Sequence, residues 1–440
     1  MNAAALMNDA RPWNPALHLF RSGAGEHLFL ADGSRLYEID AAVREALTNA
    51  PDGIAETLAG LGLSAEPSMA MPAVQDPPIR SLSLAVSQAC NLACGYCYAQ
   101  GGSFGAPERQ MSWPVAERAV RWLFAGAAAG DRVVMAFLGG EPLINRELIR
   151  RATELGETLA RQTGIRCGFS VTSNGTLLTA EDGEFFERHG FAVTISMDGP
   201  AAAHDRLRVF ADGRPSYERV VERITPLLRM QKRMQVSARV TVTPSNLRLR
   251  ETLDHLLGMG FHSAGFAPML ASPGGQHQME ERHFPAMLEE MIACGDEFQR
   301  RTIAGERYAF SNLGEALRQL HRGTHRPYPC GAGASYLGVS AAGELSACHR
   351  FVEDASGAMG NVESGVDRER QNQWLRERHV DGQEPCGSCW ARYLCGGGCH
   401  HEAIHRGRVA CDYIRGWLQY CLLAYVRLRR EAPAYFGAHV

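Results

Sequence analysis

Three closely spaced cysteines in the first quarter of the chain have the pattern of an iron-binding loop. Cys90, Cys94 and Cys97 form C-x3-C-x2-C directly after a short apolar run. Three thiolates from one loop can hold three irons of a cubane [4Fe-4S] cluster, which leaves the fourth iron open to a small molecule. A zinc loop that lacks its fourth ligand is the alternative. Because the ligand set is incomplete, the pattern predicts a catalytic cluster.

A second group of cysteines lies near the end of the chain. Of the 13 cysteines in 440 residues, the late ones are Cys330, Cys348, Cys386, Cys389, Cys395, Cys399, Cys411 and Cys421. The chain starts without an export signal, so we expect these thiols to stay reduced, and their clustering favours metal ligands over disulfides. A zinc ribbon is the alternative, although the group has more cysteines than one ribbon needs.

Polar residues also follow several of the strand-like runs. The segment GGEP spans residues 139–142. Its glycines permit another group to approach the backbone closely, and Glu141 can accept a hydrogen bond from an ammonium group. Taken alone, GGEP would also fit an ordinary turn. Asn174 follows the next run in TSNGT, and Ser196 and Asp198 follow the one after it in SMDGP.

The first cysteine group carries a family resemblance. The segment CNLACGYCYA resembles the signature of radical S-adenosylmethionine (SAM) enzymes. The resemblance implies that the open iron binds the amino and carboxylate groups of SAM, and that one electron from an external donor such as flavodoxin or ferredoxin cleaves SAM to a 5′-deoxyadenosyl radical. Hydrogen abstraction from an unreactive carbon is the implied first step. An iron-sulfur redox carrier or sensor is the non-enzymatic alternative, which predicts four cysteines at every cluster.

The same resemblance implies contacts to SAM. GGEP matches the segment that binds the methionine amino group, Tyr96 matches the aromatic position next to the adenine, and Arg208 matches an arginine that pairs with the SAM carboxylate through its planar fork. A solvated surface arginine is the alternative for Arg208. The implied SAM-binding residues are Tyr96, Gly139, Gly140, Glu141, Pro142, Asn174, Ser196, Asp198, Arg208 and Arg239.

The late cysteines resemble the SPASM extension of radical SAM enzymes that act on peptides and proteins, which holds two auxiliary [4Fe-4S] clusters. By that resemblance one cluster takes Cys330, Cys348 and Cys399, and the other takes Cys386, Cys389 and Cys395. Cys421 is the preferred fourth ligand of the second cluster, because it is expected to precede the final helix directly. Cys411 is the alternative there, or a fourth ligand of the first cluster.

Segments such as CHRFVED and CWARYLCGGGCHHE resemble peptide thioether maturases, among them the enzymes that cross-link the small subunit of quinohemoprotein amine dehydrogenase. In related sulfatase-maturating enzymes an aspartate, the proton acceptor in formylglycine formation, follows the cysteine that corresponds to Cys348; this chain has His349 there. We therefore expect intrapeptide Cys thioether cross-links, with His349 and His401 as candidate catalytic bases. Formylglycine formation and carbon-carbon cross-linking are the alternatives.

The elements that must position these groups alternate along the chain. Six strand-like runs between residues 80 and 270 are separated by amphipathic stretches, which predicts an α/β fold with a parallel sheet curled into a partial (β/α)6 TIM-like barrel. Loops at the carboxyl ends of such strands carry the reactive groups. We expect the barrel over 80–280, a helical connector over 281–327 and the Cys-rich cluster domain over 328–440.

Before the barrel, residues 17–39 read as three short strands followed by two helical stretches. This pattern predicts a small βββαα module over 1–65, with a Pro-rich linker over 66–79. The module resembles the leader-recognition domains of ribosomal-peptide maturases, whose sheet edge can add an extended peptide as a further strand. A ribosomally made peptide or small protein subunit is the implied substrate, and a purely structural cap is the alternative.

The composition is that of a folded globular protein. Apolar residues make up 45% and charged residues 21%, and the net charge is -3. Without an excess of Lys and Arg, nucleic acid is not an expected partner. The start of the chain lacks a signal-peptide pattern, and no stretch of 18 consecutive residues is apolar throughout, because even the uncharged stretch at 255–279 contains His, Ser and Gln. We therefore expect a cytoplasmic protein with no membrane partner.

Overall fold

The computed structural model describes residues 3–7, 14–49, 53–63 and 72–438. The chain divides into two compact units, each built from separate segments. The terminal unit comprises Met1–Ala73, Glu281–Cys330 and Arg376–Val440, and the barrel unit comprises Val74–Glu280 and Gly331–Leu375. This division differs from the predicted boundaries, because residues 331–375 group with the barrel and residues 376–440 group with the N-terminal module.

The N-terminal part of the terminal unit is an antiparallel three-stranded sheet in the order β1-β2-β3. Its elements are α1 (Ala3–Met7), β1 (Leu17–Ser22), β2 (Gly25–Leu30), β3 (Arg35–Ile39), α2 (Ala41–Asn49) and α3 (Ile54–Gly60). Leu28 on β2, Leu47 on α2 and Leu58 on α3 are buried in one core. The predicted βββαα order is confirmed; residues 66–71 of the predicted linker lie outside the described residues.

Six parallel strands in chain order form the centre of the barrel unit. They are β4 (Ser81–Ser87), β5 (Arg132–Gly139), β6 (Arg166–Ser173), β7 (Ala192–Ser196), β8 (Gln235–Val242) and β9 (Ser263–Pro268). The helices between them are α4 (Trp113–Ala125), α5 (Arg146–Thr163), α6 (Ala180–His189), α7 (Ala201–His204), α8 (Tyr217–Met230) and α9 (Leu249–Gly258). The predicted α/β alternation is confirmed.

The two faces of this sheet differ in character. On β8, the alternate residues Val236, Ala238 and Val240 are buried, whereas Arg239, between Ala238 and Val240, is exposed. Since successive side chains of a strand point to opposite faces, one face is covered and the other is open. Ser196 on β7 and Arg239 are register partners, so both belong to the open face.

Residues 331–375 extend the same sheet to ten strands. The added strands are β10 (Tyr336–Val339), β11 (Glu344–Ser346), β12 (Ala358–Asn361) and β13 (Gly365–Val366). β10 pairs with β4 in parallel, and the other three continue antiparallel. Cys348, the residue before His349, therefore lies just after β11 of the barrel sheet.

The rest of the terminal unit is mostly helical. Its helices are α10 (Phe284–Ile303), α11 (Ser311–His321), α13 (Arg392–Cys395), α14 (His400–Arg406), α15 (Cys411–Glu431) and α16 (Ala434–Ala438). The division of the chain after Leu375 falls within α12 (Arg368–Arg378). The expectation that Cys421 directly precedes the final long helix is wrong, because α15 begins at Cys411 and Cys421 lies in its interior. No helix within the described ranges combines the length and hydropathy that a membrane span requires.

Candidate active site

The three cysteines of the first group lie together in the loop after β4. Burial raises the pKa of the Cys90 thiol to about 12, and the thiols of Cys94 and Cys97 are near enough to raise it further. Backbone bonds fix this loop, from Ala93 N to the Val209 carbonyl (2.8 Å) and from Gly95 N to the Leu207 carbonyl (2.9 Å). Buried thiolates need a compensating cation, so the three sulfurs suit an iron cluster.

The GGEP segment lies against the start of this loop. Gly139 has φ of +153°, and a Cβ there would lie 2.0 Å from the Ser87 carbonyl oxygen. A Cβ on Gly140 would lie 2.3 Å from the Ala89 carbonyl oxygen. The close approach that glycine permits is thus between β5 and the protein's own cluster loop. Pro142, which follows Glu141, is buried and begins a short 3-10 helix.

Glu141 has no exposed surface and joins the ends of β5 and β6. Its carboxylate accepts hydrogen bonds from Ser173 Oγ (2.8 Å), Asn174 N (2.7 Å) and Leu143 N (3.1 Å). Burial outweighs these bonds and raises the pKa of Glu141 to about 7. The expected bond between this carboxylate and the amino group of SAM stays a prediction.

Asn174 is directed at the cluster loop. Its Nδ2 lies 3.7 Å from the Cys90 sulfur and donates to Asn91 Oδ1 (2.9 Å). Asn91 in turn donates to Thr176 (2.8 Å), whose hydroxyl bonds back to Asn174 Oδ1 (2.7 Å). Asn91 and Thr176 were not among the site residues predicted from the sequence. Their positions within the segments CNLAC and SNGT were the only sign of their role.

Tyr96, Asp198 and Arg208 form one buried polar network. The Tyr96 hydroxyl donates to the Asp198 carboxylate and accepts from Arg208 (2.8 Å). Asp198 also accepts from Thr241 N (2.9 Å), which ties β8 to the same group. Arg208 is only 6% exposed, which excludes the surface-arginine alternative.

The Arg208 guanidinium stays charged within this network. Burial opposes its charge, but Cys94, Tyr96 and Asp198 raise its pKa above the ordinary value. Its buried Nε finds no hydrogen-bond partner among the residues that the structure describes. A buried cationic donor without an acceptor suits an anionic ligand group, as the SAM carboxylate is.

His349 lies beside the other end of the cluster loop. Its Nδ1 is 2.7 Å from the Tyr336 hydroxyl, and its ring meets Tyr98, the residue after Cys97, edge-on at 6.1 Å between centroids. Burial, and then the charges of Arg350 and Arg239, lower its pKa to about 4. The structure therefore brings His349 and Arg239 near each other. Tyr336 and Tyr98, which contact His349, were not among the site residues predicted from the sequence.

Four late cysteines lie close together in the terminal unit. The thiols of Cys386, Cys389 and Cys411 each raise the pKa of Cys395, although burial contributes most to its value of about 11. Cys421 is fully buried in α15, and burial alone raises its pKa. The structure thus places Cys411, the less favoured candidate, with this group.

The remaining predicted residues are spread over both units. Cys330 is exposed, Cys399 is partly buried, and both belong to the terminal unit, whereas the buried Cys348 belongs to the barrel unit. His401 lies on α14, where its ring centroid is 4.4 Å from that of His405. The roles of Cys330, Cys348 and Cys399 as cluster ligands and of His401 as a base stay predictions.

Comparison with known proteins agrees with this geometry. Residues 84–257 match the Radical SAM superfamily. A serine-type anaerobic sulfatase-maturating enzyme of Klebsiella aerogenes is 25% identical over 353 residues, which cover 77% of this chain and 84% of that protein.

Two solved structures share the fold. Native anSMEcpe with bound AdoMet and Kp18Cys peptide gives a TM-score of 0.66 at 21% identity, covering 80% of this chain and 99% of that one. Streptococcus suis SuiB bound to precursor peptide SuiA gives 0.54 at 13%, covering 90% and 96%. Residues 84–257 therefore form a domain of the Radical SAM superfamily, and the similarity to the Klebsiella enzyme indicates that the protein is an enzyme.

Proposed function

We propose that the chain is a peptide maturase that abstracts hydrogen from a side-chain carbon of its substrate. The observation that carries this proposal is the buried Arg208 beside Cys94, whose Nε lacks an acceptor among the described residues. When bound, a [4Fe-4S] cluster on Cys90, Cys94 and Cys97 would supply the electron that cleaves SAM.

The protein's own residues position SAM in this proposal. Arg208 pairs with the SAM carboxylate through its free Nε, while the Tyr96 oxygen accepts from its Nη1 and fixes the plane of the guanidinium. Asp198 holds Tyr96 and is itself held by Thr241 N. A charged group that is oriented before the ligand arrives loses little entropy on binding.

The open face of the barrel sheet provides room for a substrate chain. Ser196 and the exposed Arg239 are neighbours on this face, and Arg239 lies near His349. The names of the Klebsiella relative and of both solved structures refer to maturation or to bound peptides, which favours a peptide substrate. His349 and His401 stay the proposed proton acceptors, and a flavodoxin or ferredoxin the proposed electron donor.

The reaction product is either formylglycine or a thioether, and a different observation favours each. The relatives named sulfatase-maturating enzymes favour formylglycine formation over the thioether that we expected. His349 favours the thioether, because the resemblance places an aspartate there in enzymes that make formylglycine. Both reactions begin with the same abstraction of a hydrogen atom from a peptide carbon.

Mass spectrometry separates these products. The enzyme is incubated anaerobically with SAM, a reductant and a set of synthetic peptides that contain Cys or Ser, and thiols are alkylated before digestion. A thioether makes the peptide two hydrogens lighter and removes one alkylatable thiol, whereas formylglycine made from cysteine lacks sulfur. Carbon-carbon coupling leaves every thiol reactive. Formation of 5′-deoxyadenosine without any peptide product would contradict the proposal.

We also propose two auxiliary clusters, with one change from the ligand set expected from the sequence. Cys386, Cys389, Cys395 and Cys411 bind one cluster, which is supported by the proximity of the other three thiols to Cys395, whose pKa each of them raises. Cys330, Cys348 and Cys399 stay the proposed ligands of the other. The fully loaded enzyme would then hold about twelve irons, at about four per cubane.

A further inference from the structure

Two backbone segments that carry proposed cluster ligands lie directly against each other in the terminal unit. Gly396, the residue after Cys395, has φ of +71°, and a Cβ there would lie 2.5 Å from the Cα of Pro329, the residue before Cys330. Only glycine leaves room for so close an approach of two backbones. Cys330 and Cys395 belong to different proposed clusters, so this crossing places ligands of both clusters on adjacent segments.

Arg326 joins the same two segments through its side chain. Its guanidinium donates from Nη2 to the carbonyl of Leu394, the residue before Cys395, and from Nη1 to the carbonyl of Pro329 (3.4 Å). Its backbone N–H donates to the Tyr393 carbonyl (3.2 Å). One cation therefore contacts the residue that precedes a proposed ligand of each cluster.

The Arg326 guanidinium has a donor to spare. Its buried Nε finds no hydrogen-bond acceptor in the described part of the chain, and Arg326 forms no ion pair there. Burial lowers its pKa, whereas the charges of Cys395, Glu315 and Cys330 raise it. Arginine keeps its charge in proteins, and a buried cationic N–H without an acceptor suits an anionic group, as a thiolate-bound cluster is.

A second arginine lies near the ligands of one cluster only. Arg408 donates to the Gly397 carbonyl. Burial raises the pKa values of Cys386 and Cys411, and the positive charge of Arg408 opposes this rise in both. These two cysteines are proposed ligands of the same cluster. Arg408 therefore serves as a comparison for Arg326, which lies between ligands of two clusters.

We propose that Arg326 is a cation shared by the two auxiliary clusters and that it stabilises the reduced form of each. Reduction adds one electron and no proton to a [4Fe-4S] cluster, so the reduced form carries one more negative charge. A guanidinium nearby lowers the free energy of that form more than that of the oxidised form. The inference rests on the proposed function, because it assumes the auxiliary clusters that are proposed there.

The proposed reactions release the electron that such clusters would accept. Either product requires a two-electron oxidation of the peptide, and the 5′-deoxyadenosyl radical removes one hydrogen atom. The substrate radical then loses one electron and one proton, as its carbon gains a bond to sulfur or oxygen and the S–H or O–H bond breaks. The proton goes to a base, and an oxidised auxiliary cluster is the proposed acceptor of the electron. Stabilising the reduced form favours this transfer.

Redox titration monitored by electron paramagnetic resonance tests the shared cation. The titration uses the full chain with the loop ligands changed, so that only auxiliary clusters give signals: Cys90→Ala, Cys94→Ala and Cys97→Ala. Arg326→Gln should lower the midpoint potentials of both clusters by about 59 mV or more, which is tenfold in each one-electron equilibrium. Arg408→Gln should lower only one of them. Arg322→Gln, at an exposed site four residues before Arg326, is the matched control and should change neither.

Arg326→Lys separates the charge from the hydrogen bonds. Lysine keeps the charge but loses the planar fork that reaches two carbonyls, so most of both potentials should be recovered. Iron analysis shows whether each variant holds the expected content of about eight irons. If Arg326→Gln loses this iron, Arg326→Lys decides: retained clusters support a role of the charge, and lost clusters overturn it. Unchanged potentials in Arg326→Gln, a shift of one cluster alone, or equal shifts in both variants would also overturn the inference.

Failure here can be told from failure of the proposed function. If the wild-type chain binds only about four irons, the auxiliary clusters are absent and this inference falls with that part of the proposed function. If the wild-type chain binds about twelve irons but Arg326→Gln leaves both potentials unchanged, only this inference fails. Modification of the peptide is measured separately, by mass spectrometry.

Discussion

The two groups of cysteines are held in different ways. Cys90, Cys94 and Cys97 come from one short loop, which backbone bonds to Val209 and Leu207 hold in place. Cys386 and Cys389 lie at the two ends of a short 3-10 helix, whereas Cys395 ends α13 and Cys411 begins the long helix α15. The first site is thus defined by local spacing, and the second depends on where a helix begins. The comparison shows why one ligand set could be predicted and the other only in part.

The largest expected effect comes from removing the loop ligands. With Cys90, Cys94 and Cys97 all changed to Ala, about four of about twelve irons should be lost and SAM cleavage should stop, because the loop has no other thiols to bind iron. Iron analysis and assay of 5′-deoxyadenosine measure both. If all the iron disappeared together, the two groups would not be independent sites.

A pair of matched variants tests the second site. Cys411→Ala should remove about four irons, whereas Cys421→Ala should keep them and cost only about 1 to 2 kcal/mol of stability, since a small buried side chain leaves a small cavity. Iron content and thermal unfolding of the two variants are compared. Loss of iron in Cys421→Ala but not in Cys411→Ala would restore the ligand set that the sequence favoured.

Arg208→Lys tests the polar network beside the loop. Lysine keeps the charge but loses the fork, so SAM affinity should fall by about 1 to 3 kcal/mol, roughly 5- to 150-fold. Equilibrium binding of SAM to the reconstituted enzyme measures this. Arg206→Lys, at an exposed position two residues earlier in the chain, is the control. Equal affinities in both variants would remove Arg208 from the SAM site.

The smallest expected effect concerns pH and His204, which supports the same network. His204 is buried, its Nδ1 accepts from Asp198 N (3.3 Å), and burial lowers its pKa from 6.5 to about 3. The unfolded chain therefore binds a proton that the folded chain does not, so this group costs stability as pH falls below 6.5. Between pH 7 and 5.5 the loss is about 1 kcal/mol.

Chemical unfolding at these two values of pH, in wild type and in His204→Gln, measures that contribution. The variant should lose less stability over the interval, because glutamine does not titrate, and the other groups affect both proteins alike. Identical losses would show that His204 is not neutral in the folded protein.

Most of the fold could be predicted because its signals are local. The strand-like runs at 81–87 and 235–243 and the amphipathic stretch at 113–125 match β4, β8 and α4 closely. Burial of Arg208 could be expected only through resemblance, since a charged residue in a loop gives no local sign of it. Partners such as Thr241 N and Tyr336 were missed because they come from distant strands. The start of α15 was missed because cysteines and aromatic residues obscured its helical pattern.

The segmented make-up of the terminal unit affects the order in which the protein is completed during synthesis. Its first segment ends at Ala73, but its last begins at Arg376. At about 5 to 20 residues per second, the ribosome would need roughly 15 to 60 s to make the chain between them. The nascent N-terminal sheet must wait that long with surfaces uncovered that α15 later contacts. Slow translation, or truncation before Arg376, would therefore expose this sheet to aggregation and chaperones.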